Sequence, residues 1–102
     1  MAALEIDYDG REYTLDLEEM DTDDARVMER FGVKNLKQLE EGIGEGDLSA
    51  LTVAYWLMLK QSGEPGTRIE RVRIKPIKFV KALAAASEKL NAESTDEGPK
   101  ED

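Results

Sequence analysis

DLSALTVAYWLMLK, Asp47 to Lys60, decides how the rest of the chain is read. From Leu48 to Leu59 it holds twelve residues without a charge, in a chain where 36% of residues are charged. Such a run can cross a membrane, form a core or present itself to a partner. A membrane-spanning helix needs about 20 apolar residues, so length rejects the first reading. Asp47 is placed to cap a helix running from Leu48 to about Ser62, and Gly63, Glu64, Pro65 and Gly66 to close it. A helix apolar nearly all round is normally buried on most sides. Each large apolar side chain buried contributes roughly 1.5–3 kcal/mol. Leu48, Leu51, Val53, Tyr55, Trp56, Leu57, Met58 and Leu59 are therefore the main expected source of stability. The sharper alternative leaves one face, with Leu51, Tyr55, Trp56 and Met58, open to a partner.

The remaining composition bounds the chemistry. A length of 102 residues suits one small domain with a shallow core. There is no cysteine and no histidine, which removes disulfides, thiolate metal ligands and the commonest general base. The N-terminal MAALEIDYDG lacks the basic-then-apolar order of a signal peptide. Net charge is −9, unevenly placed: residues 1–50 carry −10, residues 67–81 carry +5, and residues 82–102 carry −4. The basic band consists of Arg68, Arg71, Arg73, Lys75, Lys78 and Lys81. The overall field repels nucleic acid, so the band is expected to pair with acidic groups of the same chain, a second copy or another protein.

ALEIDYDGREYTLDL predicts a β-hairpin turned at Asp9-Gly10. That turn pairs Tyr8 with Arg11, Ile6 with Tyr13 and Leu4 with Leu15, and a one-residue slip would scatter the apolar face. The other face carries Glu5, Asp7, Glu12 and Asp16. A hairpin alone is marginal in water, so a helix must cover its apolar side. MDTDDARVMERFG predicts a short helix capped by Asp21 or Thr22 and ended at Gly32. NLKQLEEG predicts one or two further turns of helix, and the glycines of EGIGEGD a flexible connector. TRIERVRIK alternates imperfectly and suggests a strand with Val72 and Ile74 on one side. Pro76 opens a last helix, whose apolar side is read as Ile77, Val80, Leu83, Ala84 and Leu90. The expectation is an α+β fold. A short N-terminal β-hairpin (3–17) packs on a small, mostly helical bundle (helices at about 22–31, 35–41, 47–62 and 76–90). Residues 1–90 form one domain, and 91–102 form a disordered acidic tail.

The motifs of catalysis are weak. Asp21, Asp23 and Asp24 lack the continuation of a calcium loop and suit a helix N-terminus. GIGEGD follows no strand and ends in the wrong residue for a phosphate loop. Ser62 with Lys60 is formally open to Ser-Lys chemistry, with no second supporting feature. No catalytic residue, cofactor or metal is expected. The candidate partner-binding residues are Leu51, Tyr55, Trp56 and Met58 on the central helix and Arg71, Arg73, Lys75 and Lys78 in the band.

The order of these features resembles a known family. A hairpin (IDYDGREYTL) precedes an acidic helix start, and GVKNLKQLEEGIGEGDLSALTVAYWLMLKQSGEP follows, ending in KQSGEP, Lys60 to Pro65. This pattern, over roughly residues 4–66, resembles the tail assembly chaperones of long-tailed, siphovirus-like bacteriophages, particularly those of actinobacteria. The resemblance implies a non-enzymatic protein of the host cytoplasm during phage assembly. It would bind the apolar helices of the tape measure protein, recruit tail tube subunits and be absent from the mature virion. It also implies a longer product made by a ribosomal slip, for which codons of Gly98-Pro99-Lys100 could serve. Segment 67–90 is more basic and more helical than the family pattern. Two other classes compete: a structural virion component, such as a tail or head–tail connector part that self-associates, and a small acidic phage inhibitor that mimics DNA. The +5 band disfavours the mimic.

Overall fold

Asp9 and Gly10 both adopt left-handed backbone angles (φ 54° and 82°), as a tight hairpin turn requires. The computed structural model describes residues 3–64 and 66–97. In it the turn joins β1 (Leu4–Tyr8) to β2 (Arg11–Leu15) in the expected register, Leu4 with Leu15, Ile6 with Tyr13 and Tyr8 with Arg11. Ile6, Tyr8, Tyr13 and Leu15 are buried, while Glu5, Asp7, Glu12 and Thr14 face outward. Asp16 is half-buried at the end of β2.

Four helices follow: α1 (Thr22–Arg30), α2 (Leu36–Glu45), α3 (Leu48–Gln61) and α4 (Pro76–Glu97). Two of them cover the hairpin, α3 against β2 and α4 against β1, and α2 packs on α3. The architecture is the expected α+β arrangement of a hairpin on a helical bundle. Asp21 caps α1 in a reciprocal box with Asp24, and Asp47 caps α3 by accepting from the Ala50 N–H at 3.0 Å. Three helices end in the same way. After a left-handed glycine, the next N–H reaches back to a carbonyl five residues earlier: Val33 to Met28, Asp47 to Gly42, and Glu64 to Leu59.

EGIGEGD departs from its reading as a flexible connector. Helix α2 continues through Gly42 and Gly44 to Glu45, so only Gly46 and the cap Asp47 separate it from α3. The reason is steric. A Cβ on Gly42 would stand 2.6 Å from the Ala50 Cβ, so glycine there lets α2 and α3 cross closely.

TRIERVRIK also departs from expectation. It forms a 3₁₀ turn at Ile69–Arg71 and then runs extended over 72–75, with no ladder partner among the described residues. Ile69 and Val72 are both buried, and their spacing of three suits a turn rather than a pleated strand. On α4 the buried side chains are Phe79, Leu83 and Ala86, whereas Ile77 is 74% exposed and Ala84 is exposed. The apolar stripe is thus rotated from the one expected, because Phe79 is the largest residue available to meet the hairpin. The α4 backbone continues to Glu97. The Gly98-Pro99-Lys100 reading and the rest of the tail lie outside the described residues.

Candidate functional site

Sequence reasoning offered two sets of partner-binding residues, and the fold treats them oppositely. Leu51 and Met58 have no exposed surface, and Trp56 keeps only 7%. The Trp56 indole N–H donates to the Thr67 carbonyl at 2.8 Å. These three side chains form the core of this chain, and a partner could reach them only if the fold opened. Tyr55 is half-buried, in a cluster of edge-to-face rings with Tyr8, Tyr13 and Phe79 at centroid distances of 5.4–5.6 Å. Its hydroxyl lies 3.2 Å from that of Tyr13. Burial first, and then that hydrogen bond, push the Tyr55 pKa up. None of the four therefore forms an open apolar face.

The C-terminal end of α3 carries a polar network that is structural. Lys60 Nζ donates to Asp24 Oδ1, and Asp24 Oδ2 accepts from the Asp21 N–H at 3.2 Å. The Asp24 side chain is only 4% exposed and that of Lys60 is 30% exposed. This hydrogen bond holds the Lys60 ammonium above its ordinary pKa, which makes it a poor proton acceptor at neutral pH. The Ser62 Oγ accepts from the Thr14 N–H at 3.2 Å, and Gln61 exchanges two hydrogen bonds with the Asp16 backbone at 2.8 and 2.9 Å. Lys60 and Ser62 are thus held by different partners. Among the described residues no group of three or more carboxylates is arranged to hold a metal ion, and no helix is long and apolar enough to cross a membrane.

Arg71, Arg73, Lys75 and Lys78 are all exposed, as is Lys81. The extended stretch 72–75 turns Arg73 and Lys75 outward as Val72 packs inward, and the first turns of α4 add Lys78 and Lys81. Lys75 is anchored through its backbone, whose N–H donates to the Tyr8 hydroxyl at 2.9 Å. The band was expected to pair with acidic groups, and within the chain it does not pair with the hairpin. The ion pairs between described residues join Arg11 to Glu64, Lys60 to Asp21 and Asp24, and Arg68 to Glu70. Phe79, the aromatic nearest the band, is fully buried and offers no surface for base stacking.

A second surface was not read from the sequence. Leu4, Leu15, Leu17, Ile43 and Leu83 line an apolar groove of about 150 Å³ between the hairpin, α2 and α4, with Glu40 and Ser87 at its margin. No family model, curated protein or solved structure matches this chain. Function must therefore be argued from these two surfaces. The groove brings together residues as distant in sequence as Leu4 and Leu83, and no local pattern announces it. A weak signal existed in Leu17 and Ile43, apolar residues at the end of the expected hairpin and within the expected connector.

Proposed function

We propose that this chain is a non-enzymatic tail assembly chaperone of a long-tailed bacteriophage. It would bind apolar helical segments of the tape measure protein and help recruit tail tube subunits. The observation that carries the reading is the apolar groove of Leu4, Leu15, Leu17, Ile43 and Leu83, open on a small domain of net charge −9. A chaperone for apolar helices needs an apolar recess to receive side chains and enough charge to keep the complex soluble. The central helix does not supply that recess, since its large side chains are used within the fold. The Lys60–Pro65 piece of the resemblance carries little functional weight, because Gly63 and Glu64 close α3 and Glu64 pairs with Arg11.

The test is co-expression with helical segments of the tape measure protein of the same phage. Soluble complex should form with the natural chain and be lost in Leu17→Glu and Ile43→Glu. Both residues are half-buried on the groove, so a charge there alters the recess more than the core. Capture unchanged in both variants overturns the reading. A structural virion component is the second reading, favoured by Arg71, Arg73, Lys75, Lys78 and Lys81, which have no ion pair among the described residues. Mass spectrometry of purified particles separates the two, since a chaperone is absent from them and a component is present in stoichiometric amount.

A further inference from the structure

Among the described residues, neither the acidic hairpin face nor the basic band meets a surface of opposite charge. Glu5, Asp7 and Glu12 stand on the outward face of β1 and β2, with Asp7 directly opposite Glu12. Like charges at paired positions repel unless something screens them. The band presents Arg71, Arg73 and Lys75 on the extended segment and Lys78 and Lys81 on α4, with the exposed Ile77 among them. None of these five bases lies in an ion pair with a described carboxylate. The geometry prevents the two surfaces from meeting inside one molecule. The hairpin turns Ile6, Tyr8, Tyr13 and Leu15 toward α3 and α4, so its carboxylates point away from them. Helix α4 turns Phe79, Leu83 and Ala86 inward, so its lysines point away from the same core.

We infer that the acidic hairpin face of one copy docks on the basic band of a second copy, head to tail. The occupant follows from charge complementarity. Three outward carboxylates face five bases, and Ile77 supplies an apolar contact at the centre of the band. The two surfaces differ, so the contact is heterologous and propagates into a ring or a chain of subunits rather than closing as a simple pair. The net charge of −9 opposes association at long range, so the contact depends on the local match of the two patches. This inference is independent of the chaperone reading, and either can fail alone.

The experiment uses sedimentation of the full chain and two double variants. Asp7→Lys with Glu12→Lys reverses the hairpin face, and Lys75→Glu with Lys78→Glu reverses the band. The natural chain should associate, with a dissociation constant rising about tenfold or more between about 0.05 M and about 0.5 M salt as the screening length shrinks. Each variant alone should sediment as a monomer. Their equimolar mixture should associate again, because every contact then joins opposite charges. Lys34→Glu with Lys37→Glu makes the same change in net charge as the band variant, away from both patches, and it should associate like the natural chain. A natural chain that stays monomeric at low salt overturns the proposal, as does a mixture that fails to associate. If the natural chain stays monomeric while the band retains heparin or DNA at the same salt, the proposal is again overturned, in favour of a polyanion as the occupant.

Discussion

Helix α3 and the segment 67–81 are adjacent in sequence and opposite in how they are satisfied. Between Ala50 and Leu59 every residue but Tyr55 is buried, so this stretch finds its partners inside the molecule. In 67–81 the apolar residues Ile69, Val72 and Phe79 are buried too, yet five bases remain outward with no ionic partner among the described residues. Burial of apolar surface is non-directional and is met by any well-packed neighbour. Charge needs a counter-charge at a particular place, and the described residues provide none for these five bases. The difference separates what holds the chain together from what it offers to others.

The comparison would be broken most directly at Trp56. Trp56→Ala should cost about 3–5 kcal/mol in a urea melt, through the lost ring and the orphaned Thr67 carbonyl. A loss under about 1 kcal/mol would move Trp56 from core to surface and erase the contrast. Next in size is Lys60, the one α3 charge tied to a buried group. Lys60→Met should cost about 1–3 kcal/mol by leaving the Asp24 carboxylate without its cationic partner. The pKa values of Lys60 and Tyr55 are both raised in the fold. Their contributions are present below the ordinary lysine and tyrosine values, near 10.5 and 10.0, and are lost as pH rises through the raised folded values. Melts between pH 9 and 12 should show a falling stability that is shallower in Tyr55→Phe.

Two glycines of one helix sharpen the contrast by sign. Gly42→Ala should destabilise by about 1–2 kcal/mol, because its Cβ meets Ala50 before the helix gains from alanine. Gly44→Ala has open space and should stabilise by up to about 1 kcal/mol. The smallest effect belongs to Arg11 and Glu64, an exposed pair whose removal by Glu64→Gln should change stability by about 0–1 kcal/mol and less in high salt. A thermal melt at two ionic strengths checks it.

The parts of the fold legible in the sequence were those written in local chemistry. Asp9-Gly10 fixed the hairpin register, Asp21 and Asp47 marked helix starts, and Gly32, Gly63 and Pro76 marked boundaries. Readings failed where tertiary contact overrode local preference. The fate of Gly42 depends on Ala50, and that of Ile77 on Phe79 taking the place against Tyr8. The candidate site was half legible. The exposed bases followed from charge alone, but the groove needs Leu4, Ile43 and Leu83 brought together, which no window of sequence displays.

The Tyr8 hydroxyl is bonded to the Lys75 N–H across 67 positions, and its ring meets Phe79 at 5.1 Å. The apolar face of the hairpin is thus made first and covered last. At ~5–20 residues per second of synthesis, roughly 70 residues amount to several seconds or more before α4 can dock. Through all of that interval β1, with Ile6 and Tyr8, lacks its cover on the nascent chain, whereas α3, Gln61 and Ser62 are made earlier and can already meet β2. A ribosome-bound chain halted before Phe79 should therefore recruit general chaperones and be cut readily within the hairpin, whereas one released after Ala86 should resist both.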